Sequence, residues 1–120
     1  MLRFPLIAAA ALAVGTMAQA EGDAALGEKV FKKCAACHSA DPEKRKPGPH
    51  LQAISGRAAG AVEGFRYSSA MADSGLVWDD ETLRAFLANP KGVVKRTKMS
   101  FPGLKKDEDL DNIVAYLKGL

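Results

Sequence analysis

The sequence predicts an all-α fold whose helices are joined by long loops. Three observations lead there. Leu110, Ile113, Val114 and Leu117 recur at i, i+3, i+4 and i+7, which is one face of a helix. No alternating apolar and polar run long enough for a strand occurs anywhere in the chain. Pro42, Pro47 and Pro49 crowd one region, where a proline ring and its lost N–H forbid a long helix.

The first 20 residues read as a secretory leader. Arg3 gives a positive start, Leu6 to Val14 is a short apolar run, and Ala18-Gln19-Ala20 is a small-x-small cleavage site. The run is shorter than the ~20 apolar residues a membrane span needs. Cleavage would leave a single domain over residues 21–120, with no further segment able to span a membrane. The destination would be an oxidising compartment, the periplasm. Overall, 17 Lys and Arg stand against 14 Asp and Glu, and Arg3 would leave with the leader. So small an excess excludes nucleic acid as a partner and leaves any steering to charge asymmetry.

Helices follow in order. Asp23 is a candidate N-cap for a helix running to about Lys33, with Leu26, Val30 and Phe31 on one face. Gly27 on that face has two readings: a second helix crossing close by, or a tolerated surface glycine. Residues 39–64 form a loop. Ser68 caps a short helix through Ala72, and Gly75 breaks it. Asp79-Asp80-Glu81 is an acidic helix start, with Leu83, Phe86 and Leu87 as its apolar face and Asn89-Pro90 as its end. Residues 91–104 read as a cationic loop. Asp107 caps the final helix, whose apolar stripe is the natural partner of the first helix.

One stretch carries chemistry. Cys34-Ala35-Ala36-Cys37-His38 is the attachment signature of c-type haem. Two thiols on one helical turn can both add to the vinyl groups at one porphyrin edge, and the adjacent imidazole can bind iron. A disulfide, a redox dithiol or a zinc site are the competing readings. The chain has only two Cys and two His, in a spacing unlike zinc sites, and no βαβ setting for a thioredoxin-like dithiol. Pro49 either offers its carbonyl to the other ring N–H of His38 or is a simple turn proline; position alone leaves both open. His50, the other histidine, is a candidate sixth iron ligand, but a loop His beside Pro reads rather as a surface residue. Met99, in the irregular loop beside Thr97 and Phe101, offers a soft thioether for iron's sixth position. Met71 is the other methionine of residues 21–120 and reads as packing in its short helix.

These residues occur in a specific order. After the Cys/His motif come Gly48-Pro49-His50-Leu51, Gly56-Arg57, Gly64-Phe65-Arg66-Tyr67, Trp78, Leu87-Ala88-Asn89-Pro90, Thr97-Lys98-Met99-Ser100-Phe101 and Tyr116-Leu117. The set resembles class I cytochrome c, the mitochondrial-like family that includes the bacterial cytochromes c2. The resemblance implies a small fold in which N- and C-terminal helices cross and loops wrap one haem c, covalent through Cys34 and Cys37. It implies His38 and Met99 as axial ligands and Pro49 as acceptor for His38. Arg57, Tyr67 and Trp78 match family positions that hydrogen-bond the haem propionates. Thr97 matches a further donor and Phe101 the aromatic that shields the haem edge. Three positions depart from the family pattern: Phe86 where many relatives have Tyr, Met71 where they often have Asn, and His50 at a common Asn.

What the resemblance implies for function is a monomeric one-electron carrier rather than an enzyme. Its donor would be a membrane quinol–cytochrome c oxidoreductase. Its acceptor would be a terminal oxidase, a photosynthetic reaction centre or a soluble reductase. Lys29, Lys33, Lys46, Lys91, Lys98, Lys105 and Lys106 match or lie near the family's docking face, extended by Lys95 and Arg96. The alternative is a haem peroxidase or a gas- or redox-sensing module. Either needs an open or labile sixth iron position, against which Met99 argues.

Overall fold

The computed structural model describes residues 22–120, together with the isolated positions Leu2, Pro5 and Ala10. The leader expected over residues 1–20, with its expected cleavage site, otherwise lies outside the described residues. Five helices follow in order: α1 (Ala24–Phe31), α2 (Ser69–Ala72), α3 (Asp80–Ala88), α4 (Pro90–Val93) and α5 (Asp107–Leu117). Among the described residues there is no strand, only one isolated bridge between Ala58 and Val77. No helix among them is long and apolar enough to cross a membrane.

α1 and α5 form the main helix pair. The Asp23 carboxylate caps α1 through the N–H groups of Ala25 and Leu26, and the Asp23 N–H donates to Asn112 Oδ1 of α5 at 2.8 Å. Gly27 settles its two readings in favour of a crossing. It is buried, and a Cβ there would overlap the Asn112 carbonyl and stand 2.7 Å from Tyr116 Cβ. One turn on, the Phe31 and Tyr116 rings meet at 5.1 Å. The contact face thus runs through Gly27 and Phe31, which leaves Leu26 to the side and 47% exposed. Leu26 is therefore not on the core face, as periodicity alone had placed it.

The α5 stripe is buried throughout, with Ile113 fully inaccessible. It meets Leu83 and Phe86 of α3, and Trp78 stacks obliquely on Phe86 at 5.0 Å. Arg84 of α3 ion-pairs with both Asp107 and Asp111 of α5, and Lys118 pairs with Asp80 at 2.9 Å. These bridges are partly solvated and contribute at most about 1 kcal/mol each. Lys106, not Asp107, occupies the cap position of α5, and no side chain caps it; Asp107 opens the helix and favours its positive end. α4 interrupts the expected loop. Asn89 Oδ1 accepts the Gly92 N–H at 3.1 Å while Pro90 stands at the first helical position, where its missing N–H costs nothing.

α3 begins as expected, with the Asp79 carboxylate accepting the Thr82 N–H at 2.7 Å. Hydrogen bonds from Thr82 hold the Asp79 pKa below the usual carboxylate range. A depressed carboxylate pKa gives stability that is present above the unfolded value, about 3.9, and lost as pH falls through the folded value. Asp79→Ala should therefore lower the melting temperature at neutral pH, with the gap to the parent chain closing in acid. A gap independent of pH would remove the carboxylate's role.

Candidate functional site

The backbone past α1 keeps turning. Phe31 O accepts from Cys34 N at 2.8 Å and Ala35 N at 3.0 Å; Cys34 O accepts from Cys37 N at 3.1 Å and His38 N at 2.9 Å. These bonds set Cys34 and Cys37 one turn apart, with His38 directly after. Cys34 is half-buried and Cys37 exposed. Burial pushes the Cys34 thiol up, opposed by Lys33 and reinforced by Cys37. That is the opposite of the lowered pKa that a redox dithiol needs for thiolate attack.

His38 is oriented by the Pro47-Gly48-Pro49 loop. Its Nδ1–H donates to the Pro49 carbonyl at 2.8 Å. A carbonyl only accepts, so the proton sits on Nδ1 and the lone pair on Nε2. Gly48 lies flat against the ring: a Cβ there would stand 2.5 Å from His38 Cε1, and its N–H is held by Cys37 O at 2.7 Å. Burial lowers the His38 pKa; the Pro49 bond opposes this, and the Arg57 and Lys46 charges add to it. The result is a neutral imidazole with one free nitrogen.

That imidazole borders a cavity of about 450 Å³. All ten residues singled out from the sequence line it: Cys34, Cys37, His38, Pro49, Arg57, Tyr67, Trp78, Thr97, Met99 and Phe101. The isolated bridge explains part of this convergence. Trp78 N donates to Arg57 O at 2.9 Å and Gly56 N to Trp78 O at 2.8 Å, so two residues far apart in sequence become neighbours. Arg57 does not point all its donors into the cavity. Nη1 donates to Gln52 O at 3.1 Å and Nη2 to His50 O at 2.9 Å. Its Nε–H is buried without a partner. Burial lowers the Arg57 pKa, with Tyr67 opposing.

The hydroxyls are arranged similarly. Tyr67 Oη accepts the Val62 N–H at 3.0 Å, leaving its own proton to donate, and Thr97 Oγ1 accepts the Met99 N–H at 3.2 Å. The walls are apolar, from Ile54, Leu83, Phe86, Leu87, Ile113 and Leu117. Several of these carry no signal beyond ordinary core periodicity. Met71 packs on the core as expected, but it also lines the cavity, which its helical pattern did not reveal. His50 does not line the cavity; its Nδ1 accepts the Gln52 N–H at 3.2 Å. No cluster of three or more His, Cys, Asp or Glu able to hold a metal occurs among the described residues.

Residues 24–120 match the cytochrome c family. The chain belongs to that family. It is 50% identical over 97 residues to cytochrome c2 of Rhodoblastus acidophilus, covering 80% of this chain and 91% of that one. It is 44% identical over 99 residues to cytochrome c of Nigella damascena, covering 81% and 89%. Among solved structures it is similar to cytochrome cH from Methylobacterium extorquens, with a TM-score of 0.78 and 46% identity, over 82% of this chain and all of that one. Membership in the cytochrome c family makes the cofactor haem c, attached through Cys34 and Cys37, and makes the chain a haem c electron carrier. The cavity fits that group on its own chemistry. It combines an apolar wall, a thiol pair at one edge, a neutral imidazole nitrogen and a buried, unpartnered guanidinium N–H suited to an anionic oxygen.

Proposed function

We propose that this chain is an exported, periplasmic one-electron carrier in which His38 Nε2 and Met99 Sδ hold the haem iron. One observation carries the ligand assignment. The Nδ1–H to Pro49 O bond leaves Nε2 as the free nitrogen of a ring bordering the cavity that Met99 also lines. Haem, when bound, supplies a one-electron Fe(III)/Fe(II) couple. The Pro49 carbonyl would fix the imidazole's tautomer and raise its basicity. A neutral thioether from Met99 favours a high potential and closes the position that a peroxidase or gas sensor keeps open. For this reason we read the chain as a carrier without an enzymatic activity.

Arg57 Nε, Tyr67 Oη, Trp78 and Thr97 would donate to the propionates, which are costly to bury unpaired. Phe101 would cover the haem edge. Lys33, Arg66 and Lys98 line the cavity and are exposed, forming a cationic rim toward partners with acidic surfaces. We take the donor to be a membrane quinol–cytochrome c oxidoreductase and the acceptor a terminal oxidase, reaction centre or soluble reductase. The leader over residues 1–20 supports the periplasmic placement.

The test is the absorption spectrum of the haem-loaded protein. The ferric form of the parent chain and of Met71→Leu should both show the weak far-red sulfur-to-iron band and bind no carbon monoxide when reduced. Met71→Leu combined with Met99→Ala should lose the band, become high-spin and bind cyanide. If Met71→Leu alone abolishes the band, or the double variant keeps it, Met99 is not the ligand.

A further inference from the structure

Two thioethers, not one, line the haem cavity: Met99 and Met71. They are held very differently. Met99 sits in a loop whose bracketing backbone bonds are Thr97 N to Val94 O at 3.1 Å and Leu104 N to Leu87 O at 2.8 Å. Within that bracket its own N–H is held by the Thr97 hydroxyl at 3.2 Å. Met71 stands on α2, and both of its backbone groups are engaged locally. Its N–H donates to Ser68 Oγ at 3.1 Å and its carbonyl accepts from Ser74 N at 3.2 Å. Ser68 is itself buried; both methionines pack against the hydrophobic core, so the difference lies in these backbone bonds. Loops with few internal hydrogen bonds open at lower free energy than segments whose backbone is capped locally.

We propose that Met71 is a reserve axial ligand: its thioether takes the iron position whenever the Met99 loop withdraws. The proposal rests on the reading of Met99 as the resting ligand. Methionine suits the task, since its unbranched side chain swings sulfur about two rotatable bonds from a fixed backbone, and sulfur is a soft donor. The exchange balances simply. The iron–sulfur bond to Met99 breaks and one to Met71 forms; both donors are neutral, so no proton or electron moves. The neighbouring Lys98 would have to shed a proton before its nitrogen could bind, whereas a thioether donates as it stands. The consequence is functional. A carrier whose loop opens at a partner's surface would keep its iron closed to peroxide and small ligands.

The experiment uses haem-loaded protein with covalent attachment checked by mass. Met99→Ala alone should remain low-spin and retain a sulfur-to-iron band, displaced from that of the parent. Adding Met71→Leu should abolish the band. Cyanide should bind the single variant more weakly than the double, by about tenfold if Met71 fills the position in roughly nine molecules of ten. Met99→Leu, which keeps the apolar volume, serves the same comparison if Met99→Ala does not accumulate. A high-spin Met99→Ala variant, or a low-spin one without the sulfur band, overturns the reserve role and leaves Met99 ligation standing. A sulfur band that survives in the double variant overturns both. Loss of the band in Met71→Leu alone would make Met71 the resting ligand and would likewise overturn both.

Discussion

Replacing both attachment cysteines, as Cys34→Ser with Cys37→Ser, is expected to cost the chain its covalent cofactor and its fold together. The apolar walls of the cavity belong to the same core that joins α3 to α5 through Leu83, Phe86, Ile113 and Leu117. A cavity of about 450 Å³ left unfilled would leave its apolar walls facing water or unpacked space, and either loss destabilises the core. The total stability of a domain this size is about 5–15 kcal/mol. The unfilled protein would therefore collapse or unfold. Arg57 adds to the cost, because its buried Nε–H would stay without an acceptor. Intact mass should show the polypeptide alone after acid extraction, and far-UV circular dichroism of the haem-free fraction should show little helix. A haem-free variant that melts cooperatively from native helix content would mean that the walls close without the group, contrary to this account.

How much of this was legible in the sequence depends on which force sets each feature. The α5 stripe was legible because burial imposes a period on the residues themselves, and Leu110, Ile113, Val114 and Leu117 are all buried. The caps at Asp23 and Ser68 were legible because a side-chain oxygen must stand at one position relative to two or three N–H groups. α4 was not. Asn89-Pro90 reads as a stop for α3, and the same pair is also a cap followed by a helix-compatible proline. Periodicity put Leu26 inward because it cannot locate the centre of a face; the close approach at Gly27 does that.

The cavity-lining residues were gathered largely by family resemblance, and the structure shows what local chemistry could not. The Ala58–Val77 bridge joins Arg57 to Trp78 through long-range backbone bonds that no local pattern encodes. The division of Arg57's donors, two on loop carbonyls and a buried Nε–H without a partner, is equally invisible in sequence. Met71 was legible as a packing residue, and its second aspect depends on where α2 lands relative to the site.

Gly27 supports the second large expected effect, and there two forces predict opposite signs. In an exposed helix, replacing glycine by alanine stabilises by about 0.8–1.0 kcal/mol, because alanine gives up less backbone freedom on folding. In this chain the added methyl would press on the Asn112 backbone of α5 and stand 2.7 Å from Tyr116 Cβ. Neither neighbour is the flexible end of a side chain, so relief requires α1 and α5 to separate. Separation would loosen the Phe31–Tyr116 contact and the Asp23 N–H bond to Asn112 on the same interface. Overpacking of a fitted interface costs ~1–3 kcal/mol, occasionally more, so Gly27→Ala should be net destabilising. Gly27→Val adds two further carbons and a β-branch and should fall at or beyond the upper end. At ~4–8 °C per kcal/mol for a domain of this size, a loss near 3 kcal/mol lowers the melting temperature by roughly 12–24 °C. Thermal melts of the haem-loaded variants read the sign directly. The attachment motif lies beyond this interface, so the covalent haem should be retained. A Gly27→Ala variant more stable than its parent would show that α1 and α5 are not in contact at this residue.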